Sequence, residues 1–375
     1  LEKFEMKKTL VALAALATVG AAFAQSSVTL YGKIDWEIVS KSSHAAGVAN
    51  LNPGLQVNSA GLSGSRWGMK GSEDLGGGLN AIFDLQGGFS VDSGQMGQCG
   101  GANVINLAAC NNNASLTGIN APRIFGRSAY AGFKGNFGQL TVGRQYAPYD
   151  NAFGNVDAQG YSSNSAMGNV WNGNAVPGQA APAHADAGPG GPGRVDNQIT
   201  YYTPAMGGFN AQVSYAPGEN KTLVSRASEY AGLGLGYGNG PLNIQYAYES
   251  LRGMTGVPTS TGYILGASYN FGPASLYGAY GQGNASGVSK DKKYAIGVTA
   301  PVGPVVLSLG YAKNRNTLAG AGNSSDTHGV GGQAVYSLSK RTNVYAEFMA
   351  NTGTNAGAAS SAKANQFGVG MRHDF

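Results

Sequence analysis

Positively charged residues recur at even spacings along this chain, and theirs is the pattern that could do chemistry. Arg66 and Lys70 flank Trp67 and Met69 in SRWGMKG, Arg123 and Arg127 share a parity in RIFGRSAYAGF, and Arg194 stands two before Asp196 in RVDNQITYY. In an extended chain an even spacing places side chains on one face. The chemistry on offer is therefore electrostatic: fixed charge acting on ions, with no bond made or broken. Catalytic alternatives lack their residues. His44, His184, His328 and His373 fall in or beside polar breaks or near the terminus, and none has metal-ligand spacing with Cys, Asp or His. No G-x-S-x-G occurs, and GPGGPG (188–193) matches G-x-G-x-x-G only formally, since it holds two prolines and lacks a flanking strand and helix. The expectation is no catalytic residue, no metal and no cofactor.

The elements that must carry these charges are strands. In TLYGKIDWEIV, Lys33, Asp35 and Glu37 lie on one face and Leu30, Ile34, Trp36 and Ile38 on the other. About ten alternating residues followed by a break is a theme that repeats sixteen times, starting near Val28, Gly61, Leu79, Arg123, Gln139, Arg194, Phe209, Ala227, Leu242, Thr261, Ala274, Lys292, Val305, Thr327, Thr342 and Asn365. Short breaks (DLGGG, GNFG, AMGG, NG, FGP, VGP, SKR) alternate with long polar ones, among them 40–60, 91–122, 149–193 and 284–291. That rhythm predicts an up-and-down antiparallel sheet with tight turns at one rim and long loops at the other. Charged residues make up only 11% of the chain against 61 glycines and 20 tyrosines, which suits β structure and argues against disorder.

Lys7 and Lys8 precede the apolar run 10–24, which ends in Ala22-Phe23-Ala24. This reads as a secretory leader, too short to span a bilayer. Residues 1–24 are expected to be removed, leaving 351 residues (25–375) and a formal charge of +4 in place of +5. No basic run tracks phosphates, so nucleic acid is not an expected partner. Cys99 and Cys110 share one polar segment of an exported chain, which predicts a disulfide closing a surface loop. No other apolar segment reaches the length of a membrane helix, so a membrane could be crossed only by strands, closed so that every backbone group pairs. The dry faces then meet lipid and the charged faces line the inside. Phe375 ends the chain in step with dry-face Phe367, Val369 and Met371.

Parity sorts the charges. Arg66, Lys70, Arg194 and Asp196 oppose dry residues and point inward. RIFGRSAYAGF is apolar on either face. A lipid-facing arginine near mid-depth costs roughly 2–4 kcal/mol, so Arg123 and Arg127 are assigned to the lumen with Ile124 and Tyr130 outward. Arg144 shares parity with Leu140 and Val142, which predicts an outward arginine at a contact between subunits, paired with a neighbour's carboxylate or loop carbonyl.

SSVTLYGKID (26–35), SRWGMKGSEDLGGGLNAIFDLQ (65–86), RSAYAGFKGNFGQLTVGRQY (127–146) and the end FGVGMRHDF resemble the general porin family of Gram-negative bacteria, in its β-proteobacterial branch. The resemblance covers essentially all of 25–375. It implies an outer-membrane, all-β, 16-stranded antiparallel transmembrane barrel with short periplasmic turns and long external loops, assembled as a homotrimer of separate pores. Each pore would be narrowed by the third loop (149–193) folding inward. The implied partners are outer-membrane lipid and lipopolysaccharide, the barrel-assembly machinery reading Phe375 as a terminal signal, and small hydrophilic solutes. The insertion around Cys99 and Cys110 departs from the simplest family pattern. Arg66, Arg127 and Arg194 would form the constriction wall, with Arg123 and Lys33 nearby, facing Asp150 and Asp157 on the loop. Two acids against several cations predict passive diffusion with anion preference. The alternatives are a channel selective for organic acids or phosphate, and a structural or adhesive surface barrel.

Overall fold

A computed structural model describes residues 27–45, 48–96, 123–172, 193–218, 221–223, 228–253, 259–319, 324–354 and 361–375. The expected leader and the Cys99–Cys110 pair lie outside the described residues. Alternating segments become strands, in the order β1 (Ser27–Ala45), β2 (Val48–Ser59), β3 (Arg66–Gly76), β4 (Leu79–Gly88), β5 (Ser128–Gly135) and β6 (Gly138–Tyr146). Two short helices follow, α1 (Pro148–Val156) and α2 (Ala166–Trp171). The chain continues through β7 (Arg194–Tyr202), β8 (Phe209–Ala216), β9 (Glu229–Asn239), β10 (Leu242–Arg252), β11 (Ser260–Asn270) and β12 (Ser275–Ala285). It ends with β13 (Ser289–Val302), β14 (Val305–Leu318), β15 (Ser324–Ser337), β16 (Thr342–Thr354) and β17 (Ser361–Asp374).

Each strand pairs antiparallel with its neighbours, and β17 returns to β1 from Lys33↔Asp374 to His44↔Lys363. Phe375 completes the seam, its N–H donating to Gly32 O while Gly32 N–H donates to Phe375 O, both at 3.0 Å. The seventeen segments make sixteen staves, because β2 and β3 lie end to end along β1. Between them residues 60–65 leave the sheet opposite Ile34 and Asp35. Asp35 holds this bulge, accepting from Gly61 N (3.1 Å), Ser63 N (2.8 Å) and the Tyr345 hydroxyl (2.6 Å). The break expected at 40–60 is instead a paired hairpin running from Trp36↔Ser59 to Ala45↔Val48. The sequence hides the strand, because Asn50, Asn52, Pro53 and Gly54 read as a loop. The break at 284–291 likewise shrinks to residues 286–288.

Outward residues form an apolar belt that includes Val142, Leu265, Ile296 and Leu309, each more than a third exposed. Aromatic girdles bound it: Tyr248, Tyr263, Tyr280, Tyr294 and Tyr311 towards the long-loop rim, and Phe209, Tyr237, Tyr269 and Phe271 towards the short turns. Tyr263 and Tyr269 on one strand are six residues apart, about 20 Å of chain. A belt of this kind is stable only against lipid.

The hydrophobic cluster lies inside the barrel. Tyr149, Phe153 and Val156 of α1 with Val170 and Trp171 of α2 pack on Ala247, Ile264 and Ala312 of the wall. Glycines make the seat. A Cβ at Gly266 would lie 2.7 Å from Val156, at Gly281 2.9 Å from Trp171, and at Gly297 2.5 Å from the Ala158 Cβ. Gly310, Gly329 and Gly331 continue the track beneath Gln159, Val170 and Asn164. Glycine is required there because the loop backbone and side chains occupy the space that wall side chains would fill.

Candidate functional site

Loop 149–193 leaves the wall after Tyr146 and turns inward at once. Pro148 occupies the first turn of α1, where its missing N–H costs no hydrogen bond. Beyond α1, Asp157 ties the turn, accepting from Gln159 N (3.1 Å), Tyr161 N (2.8 Å) and Ser165 Oγ (2.6 Å). Ser165 also caps α2 by accepting from Gly168 N at 2.9 Å. The far edge is pinned by Trp171 Nε1 to Tyr294 O (3.1 Å), Thr299 Oγ1 to Ala158 O (2.9 Å), Ser163 N to Gly61 O (2.8 Å) and Ser163 Oγ to Glu347 Oε1 (3.3 Å). The described part of the loop, up to residue 172, is held against β9–β16 and faces the arc from β1 to β7.

That arc carries the cations. Arg127 donates from Nε to Gln86 Oε1 (2.9 Å) and from its terminal nitrogen to the Tyr146 hydroxyl (3.0 Å). Arg194 donates to the same hydroxyl and lays its guanidinium 4.1 Å from the Tyr146 ring centre. Arg66 is braced by Gly64 O at 3.0 Å and stands directly opposite Lys33. The network extends through Gln86 to the Tyr31 hydroxyl (2.9 Å), which donates to Asp84, while Lys70 Nζ sits 5.1 Å from the Tyr31 ring centre. Neutral acceptors and a ring face hold these guanidiniums in place and fix their direction.

Asp150 opposes them from the first turn of α1. Burial pushes its carboxyl up to about 7, against the pull of Arg194 and Arg127, and its Oδ1 has no hydrogen-bond partner. It is therefore only partly ionised near neutrality, which weakens its opposition to the wall.

Arg66, Arg127, Arg194, Lys33 and Asp150 therefore share one region. Four expectations differ. Asp157 is consumed by the loop's own turn and offers little free charge, and burial raises its pKa. Arg123 joins Arg144 on Asp196, at 2.8 and 2.6 Å. Arg144 also bonds Gly126 O (2.5 Å) and Arg194 O (3.3 Å) and is 7% exposed, so its carboxylate and carbonyls come from its own chain and no neighbour is needed. The reason is local: Gly143 at φ 133° and Asn197 at φ 56° break the register between β6 and β7. Tyr130 also faces inward, across from Asp84. The parity drawn from Arg127 fails because β5 begins only at Ser128. Sequence reasoning missed Tyr146, whose signal is an aromatic ending an arginine-bearing strand beside the long loop.

The chain matches the family model for Gram-negative porins over residues 9–356. It is 35% identical over 393 aligned residues to outer membrane porin protein 32 of Delftia acidovorans, covering 99% of this chain and all of that relative. An outer membrane porin protein of Bordetella pertussis is 30% identical, with 99% of this chain and 100% of that relative covered. Among solved structures, an anion-selective porin from Comamonas acidovorans superposes with a TM-score of 0.71 at 29% identity, covering 94% of this chain and 100% of that one.

Proposed function

The chain belongs to the Gram-negative porin family and is an outer-membrane β-barrel channel, and we propose that it passes small hydrophilic solutes by diffusion, with anions favoured by Arg66, Arg127 and Arg194. The observation that carries this reading is the shared hydroxyl of Tyr146. It holds two guanidiniums side by side at the waist through an uncharged acceptor. In a narrow passage with a low-dielectric wall, fixed charge acts strongly on passing ions. The relative that superposes on this fold at 29% identity is described as anion-selective, which supports the same sign. The protein works as a homotrimer of separate pores, needs no cofactor and carries out no bond chemistry; support for this comes from membership of a channel family.

Reversal potentials in asymmetric sodium chloride across a planar bilayer test the sign. The native pore reads anion-preferring, and the Arg66→Gln/Arg127→Gln/Arg194→Gln variant moves towards no preference. A cation-selective native pore would overturn the reading. One observation favours a narrower version, a channel for organic acids or phosphate: two cations stand over aromatic rings, Arg194 on Tyr146 and Lys70 on Tyr31. Conductance that saturates with one such anion and stays linear with chloride separates the two.

A further inference from the structure

Three buried carboxylates gather inside the barrel where β1, β17 and β16 meet. Asp35 and Glu37 follow one another on the inner side of β1, and Glu347 stands on the inner side of β16. Between them β17 presents Gly370, opposite Glu37, and Gly368, opposite Glu347. These glycines open the space. A Cβ at Gly368 would lie 2.5 Å from Glu37 Oε2, so that carboxyl bends across β17 towards Glu347. Residues directly opposite in a sheet have Cβ positions about 5 Å apart, which brings the two glutamates within reach of one shared ion.

Their partners are unequal. Asp35 is satisfied by the bulge and Tyr345. Glu37 Oε1 accepts one long bond, from Asn58 Nδ2 at 3.5 Å, and Glu347 Oε1 accepts from Ser163 Oγ at 3.3 Å. Glu37 Oε2 and Glu347 Oε2 have no hydrogen-bond partner, and neither has Gln333 Oε1, directly opposite Glu347 on β15. Glu37 and Glu347 are 0% and 1% exposed. Among the described residues no ion pair reaches either: Arg372 is paired with Asp374 at 3.6 Å, and Lys41, on the same side of β1, makes none. Buried charge is stable only when paired or bound to a metal. All three bare atoms are acceptors, so what they lack is positive charge.

We propose that Glu37 and Glu347 bind a hard divalent cation, calcium in preference to magnesium, with Gln333 Oε1 and Ser163 Oγ as neutral ligands. The donor set selects that ion. Two carboxylates balance its charge, and a mixed frame of carboxylate, amide and hydroxyl oxygens suits the irregular sphere of calcium, whereas magnesium demands an octahedron and keeps its water. All-oxygen donors disfavour zinc and copper. Ser163 belongs to the loop and Glu347 to the wall, so the ion ties one to the other beside the bond from Ser163 N to Gly61 O. Residue spacing leads to the expectation of no metal because Glu37 and Glu347 come from opposite ends of the chain and meet only when the barrel closes. The inference does not depend on the ion preference of the pore.

The test is calorimetric titration of the detergent-solubilised full chain, stripped with a chelator, with calcium chloride. The native protein takes up one calcium per chain at this pair, binds magnesium more weakly and is not displaced by sodium at equal concentration. Glu37→Gln/Glu347→Gln loses at least tenfold in calcium affinity. Glu229→Gln/Asp326→Asn, which removes acids at the exposed rim, binds as the native protein does. If the double variant does not fold, Glu347→Gln alone reads the same loss, and terbium bound to the native chain luminesces through neighbouring Tyr345 until calcium displaces it. Equal calcium uptake by native and pair variant, uptake lost only in the rim variant, or no uptake by the native chain would each refute the proposal. In the last case the pair is held by a shared proton and not by a metal.

Discussion

Asp150 gives the waist a titratable element. With its carboxyl pushed up to about 7 by burial, it gains a proton as pH falls through neutrality, and Arg127 and Arg194 then act with less opposition. Anion preference in reversal-potential measurements should therefore rise from pH 8.5 to 5.5. Asp150→Asn should hold the low-pH value throughout, and a native pore indifferent to pH would remove Asp150 from the filter. Arg66 was legible in the sequence because a regular strand carries it, whereas Arg194 lies beyond the break at Asn197, where alternation no longer fixes its side. Arg127 was legible only through an energetic argument about lipid, since it precedes its strand. Arg144 and Tyr130 were misread where a bulge or a late strand start resets the alternation, and no count of residues shows that in advance. Arg144→Ala should still leave Asp196 bound to Arg123, so the expected loss is about 2 kcal/mol of barrel stability, read by urea unfolding from lipid vesicles.

Among the elements, the inward loop and its glycine seat depend on each other. The sequence located the loop by its length and composition, yet it showed none of the seat, since wall glycines look like weak strand positions until something lies on them. Gly297→Val puts branched atoms where Ala158 sits and should push the loop towards the arginines. Lower single-channel conductance with unchanged sign of selectivity is the expected result. Native conductance would mean that the loop does not rest on Gly297. The paired hairpin β1–β2 was equally hidden, because Asn52, Pro53 and Gly54 read as a break in the sequence.

For the whole molecule, the inversion of oil and water was the most legible feature, since sixteen repeats of one alternation leave only one closed arrangement. It predicts a sharp asymmetry between faces. Val369→Arg, on the belt, should cost roughly 2–4 kcal/mol in lipid vesicles, whereas Gln245→Arg, on the inner face, should cost little. Equal costs would contradict the assignment of faces. The bulge at 60–65 carries a further consequence. It belongs to the charged arc, yet Gly61 O grips Ser163 of the loop, so one clasp spans the two halves of the interior. Bore and sign are otherwise set by separate arcs and could be engineered as independent dials, the first by filling glycines, the second by exchanging arginines. Asp35 is where the dials touch, and a designer who alters that clasp should expect to turn both at once.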